Sequence, residues 1–306
     1  MKAESKRWIA AFAALQILFY HCWIPVFPAG SFLGEAERFF LGVAYVGVDA
    51  FFFISAFSLV SRPVEDYPAF LKDRARKILP LFLIAWALGQ FLWFLPSIML
   101  VYVFLPPLYR TCRERPVFSF FLLFAGWAAL TGVILGIIRP EQDLGIFLFR
   151  IPSVILGAYA VRFKDRIGPR GALLTGLLLV AIGSLLTHEF GYLDKLDVPF
   201  RGSFYLTGIP LMLGQVLLLG LLGQRRGCPK AVSRFGGMTL ELYFTQMLLG
   251  SCLVSFYYRL TKSRLVTDLA VLTLLIVASA ALQALERSFP KLPRLRPEEL
   301  APGTPR

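Results

Sequence analysis

Charge is what this sequence has least of. Charged residues fill 17% of its 306 positions, against about 25% in an ordinary soluble domain. Histidine is scarcer still, with only His21 and His188. The four cysteines (Cys22, Cys112, Cys228, Cys252) form no C-x-x-C pair. The two histidines are far apart, so neither a zinc site nor a disulfide framework is expected. No internal repeat, low-complexity tract or long linker is visible. These absences exclude disorder, collagen and a small disulfide scaffold, and they argue against a soluble enzyme. What takes the place of charge is apolar: 57% of the residues are hydrophobic and 29 are Phe. The composition is that of an all-α polytopic membrane protein with nearly all its mass in the bilayer.

A membrane span needs about 20 largely apolar residues. Ten such segments are expected, at 8–27, 42–61, 78–92, 94–109, 117–138, 145–161, 171–187, 203–223, 238–258 and 265–285. The third and fourth are parted only by Trp93 and lie close to Pro96. They read either as a tight helical hairpin or as one broken, re-entrant element. The basic residues before the first run are read as a flank of the first span rather than as part of a cleaved signal peptide. An even number of spans puts both termini on one side. With that side cytoplasmic, 24 of the 32 Lys and Arg residues face the cytosol, as the positive-inside rule requires. The net charge of +13 is then an orientation signal, and nucleic acid is not expected as a partner. Residues 1–286 read as one transmembrane domain. Residues 287–306, Pro-rich and charged, read as a cytoplasmic tail. The expected location is the cytoplasmic (plasma or inner) membrane.

An ionisable side chain inside a span is costly and marks a candidate site. His21, Asp49, Arg150, Glu241 and Asp268 qualify, with neutral Tyr243 and Gln246 as companions. His21 follows Trp8 by 13 residues, which at 1.5 Å per residue places it about 20 Å above the cytoplasmic face. Asp49 precedes Ser61 by 12 residues on the descending second span, giving about 18 Å. Arg150 begins the sixth span from the outside. Three polar groups in the outer half suggest a buried site. The plain alternative for His21 and Asp49 is a hydrogen-bonded packing residue. For Asp268 an interfacial position is expected, and for Glu241 one at the inner surface.

Four basic residues, Lys72, Arg74, Arg76 and Lys77, stand within six positions just before the third span. They read either as a positive-inside anchor or as a phosphate clamp. The Arg fork and the Lys point charge both suit phosphate oxygens. Coenzyme A carries several phosphates and is made on the side where this cluster is expected.

At these residues the sequence resembles the membrane acyltransferase 3 family, which acylates cell-surface glycans. The first span ends Phe19-Tyr20-His21, like the family's first-helix histidine. Gly47-Val48-Asp49-Ala50-Phe51-Phe52-Phe53-Ile54-Ser55-Ala56-Phe57 is close to its G-V-D-x-F-F-x-x-S-G-F. Ile78-Leu79-Pro80 matches its R-x-x-R-I-L-P element. Trp93-Phe94-Leu95 with Tyr102, Arg150…Gly157 and Thr239-Leu240-Glu241-Leu242-Tyr243 follow in order. The sequence departs from the pattern at Ala10, where the family has an arginine, with Arg7 the nearest replacement. It departs again at Ala56, at Lys77 (the second clamp arginine) and at Gln246, which stands for a late histidine.

The resemblance implies an acyl-coenzyme A donor, most simply acetyl, with its phosphates on Arg74, Arg76 and Lys77. It implies a carbohydrate acceptor, extracytoplasmic or lipid-linked, and His21 as general base with Asp49 orienting its ring. Arg150 would hold the oxyanion or an anionic sugar, and Ser55, Tyr243 and Gln246 would be further substrate contacts. No metal is implied. Two other readings are a catalytically inactive relative acting in glycan assembly and a proton-coupled transporter. The lack of an inverted repeat weighs against the transporter.

Overall fold

The computed structural model describes residues 1–61, 64, 66–111, 115–138, 142–163, 166–190 and 203–288. Among these there is no strand. In chain order the helices are α1 (Ala3–Cys22), α2 (Phe32–Val43), α3 (Val46–Ser61), α4 (Tyr67–Ala87), α5 (Phe94–Thr111) and α6 (Pro116–Val133). They continue with α7 (Gln142–Ala160), α8 (Pro169–Phe190), α9 (Ile209–Arg226), α10 (Lys230–Phe235), α11 (Thr239–Thr261) and α12 (Arg264–Ser288). A π-helical turn, Ile134–Ile138, extends α6, and a 3₁₀ segment, Ser203–Gly208, leads into α9.

Each of the ten expected spans falls on a helix. Among the described residues, however, only four helical stretches are long and apolar enough to cross a membrane: Pro116–Ile137, Pro169–His188, Tyr205–Arg226 and Arg264–Glu286. A fifth is added if α2 and α3, bent by 43°, act as one span. The others fall short for visible reasons. Helix α4 carries the whole basic cluster, α1 begins with Glu4, Lys6 and Arg7, and α5 and α7 are short. The tail expected at 287–306 lies almost entirely outside the described residues.

Helix α2 occupies what reads as an outer loop. Ser31 caps it, its hydroxyl accepting from the Gly34 N–H at 3.0 Å, as an N-cap serine does. Helix α4 also begins earlier than expected, within the basic loop. Asp66 caps it, accepting from the Ala69 N–H at 2.9 Å, and Pro68 sits in the first turn, where a missing N–H costs nothing. The third and fourth expected spans form a helical hairpin. Its turn uses Gly89 at φ +76°, a left-handed conformation that glycine adopts at little cost.

Helix α1 is the hub: it packs on α3, α9 and α11. Helix α3 lies along α7, α8 along α9, and α11 along α12. Small residues allow the closest approaches. A Cβ on Gly157 would lie 2.3 Å from the Phe53 carbonyl oxygen, and one on Gly47 2.5 Å from that of Ala13. Gly157→Ala should therefore force α3 and α7 apart, costing about 1–3 kcal/mol as overpacking. A lowered thermal midpoint in detergent, with α8–α9 exchange unchanged, is the expected measurement. Helix α6 is peripheral and shows Val117, Phe118, Phe121 and Leu122 outward, an apolar face suited to lipid.

Candidate active site

One cavity of about 220 Å³ opens between α1, α3, α4, α5 and α11. Its walls are assembled by helical periodicity. Val48, Phe51 and Ser55 on α3 recur at spacings that share one helix face. Arg74, Lys77 and Ile78 do the same on α4, and Thr239, Leu240 and Tyr243 on α11. Ile17 of α1 and Phe94, Ile98 and Tyr102 of α5 complete it. Four residues singled out from sequence, Ser55, Arg74, Lys77 and Tyr243, thus line the same space.

The basic end of the cavity has a distinct chemistry. The Arg74 guanidinium carbon lies 5.2 Å from the Phe70 ring centroid and 5.4 Å from that of Tyr102. Two aromatic faces hold the planar fork by cation–π attraction. The Arg74 Nε is buried without a hydrogen-bond partner among the described residues. Lys77 pairs with Asp73 at 3.5 Å, and both side chains are largely exposed, so this bond is weak and easily exchanged for another anion. Lys72 and Arg76 are also exposed. Neither lines the cavity, because they stand on the other side of α4 from Arg74 and Ile78. Arg76 is therefore a charge near the site rather than part of its wall.

The apolar middle is set by Phe51, Phe94 and Ile98. The Phe94 ring contacts Tyr243 at 5.1 Å and Phe52 at 5.2 Å between centroids, which fixes the position of Tyr243. Gln246 is buried three residues beyond Tyr243 on α11. At the far end, Ile17 belongs to α1, and His21 lies one turn further on the same helix face, a rise of about 6 Å. His21 is exposed, and its ring meets Tyr20 edge-on at 5.0 Å.

Asp49 and Arg150 are placed differently from the expectation. Asp49 is fully buried, and Arg150 is 1% exposed. They form an ion pair with each other. The second Asp49 oxygen accepts from the Ser153 hydroxyl at 2.8 Å. No hydrogen bond joins Asp49 to His21 among the described residues. The Arg150 guanidinium is covered by Tyr205 at 4.1 Å and Tyr45 at 5.4 Å, and both rings are buried. The pair pins α3 to α7 beneath an aromatic lid, and neither residue lines the cavity. Ser153 was not among the expected residues, although it stands three positions after Arg150 and so on the same face of α7.

Glu241 and Asp268 are also more buried than a surface role requires, at 6% and 0% exposure. Asp268 caps the Ile24 N–H at 3.0 Å. Glu241 stands 3.4 Å from the Gln283 amide nitrogen on α12.

The family model described as "Acyltransferase domain" matches residues 7–92 and 89–284. The chain belongs to the acyltransferase 3 family. As a member it is a multi-pass membrane acyltransferase, and the matched residues include every helix that lines the cavity. No curated protein and no solved structure matches the chain.

Proposed function

We propose that this acyltransferase moves an acyl group, most simply acetyl, from cytosolic acyl-coenzyme A to a hydroxyl of an extracytoplasmic or lipid-linked glycan. The observation that carries this reading is the cavity itself. It has two cationic side chains at one end, an apolar middle, and its far wall one helical turn from an exposed histidine. That sequence of chemistries matches the donor: phosphates, a long arm, then a thioester.

In this reading Arg74 and Lys77 hold phosphate oxygens, with Lys77 leaving Asp73 to do so. Arg76 and Lys72 add positive field at the mouth. The arm runs past Phe51, Phe94 and Ile98, with Ser55 and Tyr243 lining its path and Gln246 supporting the same wall. The thioester carbonyl then lies at the level of Ile17 and Val48. His21 takes the acceptor hydroxyl's proton as the oxygen attacks the carbonyl carbon. The new C–O bond forms, the C–S bond breaks, and the departing thiolate receives the proton from the imidazolium. An imidazole, which can both take up and give back a proton, suits both halves of that exchange. With both termini cytoplasmic, the basic end faces the cytosol and His21 faces the acceptor. Asp49 and Arg150 contribute the rigid α3–α7 seam behind the cavity.

The donor half is tested by Arg74→Gln combined with Lys77→Gln. Loss of two charge-assisted contacts should raise the donor KM at least about tenfold, with the rate at saturating donor little changed. A donor KM equal to that of the unaltered protein would remove the phosphate clamp.

A further inference from the structure

The segment that follows His21 has a partner at each of its backbone N–H groups. Helix α1 ends at Cys22, and Trp23 turns extended at φ −96°, ψ 133°. Between Trp23 and Pro28 there are four backbone N–H groups, since Pro25 and Pro28 have none. The Trp23 N–H donates back to Phe19 at 3.2 Å. The Ile24 N–H donates to Asp268 of α12 at 3.0 Å. The Val26 and Phe27 N–H groups both donate to the Glu37 carboxylate of α2, at 2.9 and 3.0 Å. Glu37 also accepts from the Trp23 indole N–H at 2.8 Å. The Pro25 carbonyl accepts from Arg264 of α12 at 2.9 Å. Helix α11 closes the remaining side, where a Cβ on Gly250 would lie 2.7 Å from the Cys22 sulfur.

Two carboxylates, one ten residues downstream on α2 and one on the distant α12, are thus spent on one short strap. Burying Asp268 completely is expensive, and a mere chain connection would not require it. The strap begins two residues after His21. We propose that Glu37 and Asp268 are positioning residues, which hold the last turn of α1 and so aim His21 at the end of the cavity. This rests on the reading of His21 as general base. The two residues touch no reacting atom; they act through the geometry of the α1 terminus. Displacing a reactive group by about 1 Å can cost on the order of a hundredfold in rate.

The test compares Asp268→Leu and Glu37→Leu with the acceptor-retaining Asp268→Asn and Glu37→Gln, and with His21→Ala. The full chain is used in lipid nanodiscs, with labelled acetyl-coenzyme A as probe and an envelope glycan fraction as acceptor. Hydrogen exchange over residues 19–27 is read in parallel. Exchange there is expected to rise in both Leu variants while α8–α9 is unchanged. The rate at saturating donor should fall at least about tenfold with donor KM within about twofold. Asp268→Asn should recover most of the rate, and in the His21→Ala background neither Leu variant should lower the residual rate further. Glu37 is only half-buried, so its variant carries the test if Asp268→Leu does not accumulate. Unchanged exchange overturns the strap. Raised exchange with an unchanged rate, or a further loss in the His21→Ala background, overturns the positioning role while the His21 reading stands. Full activity of His21→Ala alone removes that reading, and the proposal with it.

Discussion

His21→Ala should remove nearly all acyl transfer while leaving the protein folded and inserted. His21 is exposed at the end of α1, and its ring meets Tyr20 edge-on at 5.0 Å, so its removal takes away little packing and no buried polar contact. What it removes is the proposed proton acceptor one turn from the cavity. General-base catalysis of this kind supplies about 10²–10⁴-fold in rate, and a loss of that size should leave only a small residual turnover. The thermal midpoint should stay within about a degree or two, as for other surface substitutions. Donor KM is expected to be unchanged, because His21 lines none of the phosphate end. The measurement is label transfer from acetyl-coenzyme A together with a melting curve on the same preparation. Normal transfer by a well-folded His21→Ala protein would leave the cavity without its catalyst.

Asp49→Ala should give the opposite pattern, a collapse of stability. The Arg150 guanidinium would be left charged, buried beneath Tyr45 and Tyr205, and unpaired. Removing one partner of a buried pair costs about 3–5 kcal/mol, a large fraction of what holds a domain together. The variant should fail to accumulate, or melt well below the unaltered chain. Replacing both partners with apolar residues, Asp49→Leu with Arg150→Met, should restore much of the loss, since a well-packed apolar substitute is often neutral. The paired variant therefore separates two roles. If it folds and transfers acyl groups, the pair is a seam between α3 and α7. If it folds and is inactive, one of the two charges acts on the substrate directly.

The sequence was most informative where chemistry repeats along one helix face. The apolar runs fell on helices, because each must present a greasy surface to lipid or core, but only four or five among the described residues are long and apolar enough to cross a membrane. The residues Ser55, Arg74, Lys77 and Tyr243 were legible through their place in a known pattern, and the fold brings them to one cavity. The walls Ile17 and Ile98 were not singled out, and Phe51 and Phe94 entered only as parts of the pattern, because an apolar residue in a greasy helix carries no mark of which side it faces.

Depth and direction account for the main difference at the site. Counting residues placed His21 and Asp49 at one level in the membrane. A level says nothing about the angle around the helix axis. Asp49 turns toward α7, where Arg150 and Ser153 stand one turn apart on a single face. That i, i+3 pairing was present in the sequence and would have named the partners. The helices α2 and α10 were hidden for another reason: at 12 and 6 residues they are too short to cross a membrane by themselves. The early start of α4 had a readable signal in Asp66 and Pro68, a cap followed by a first-turn proline. The strap on Trp23–Phe27 had none: Asp268 comes from a distant part of the chain, and nothing in the nearby sequence marks Glu37 as the residue that folds back on it.

The most direct test of the central claim is mass spectrometry of the surface polysaccharide from cells with the intact gene, without it, and with the His21→Ala form returned. The account predicts that the polymer loses the mass of one acyl group per repeat when the protein is absent. It predicts that the intact protein restores that mass and that His21→Ala does not. A polysaccharide of identical mass in all three strains would contradict it.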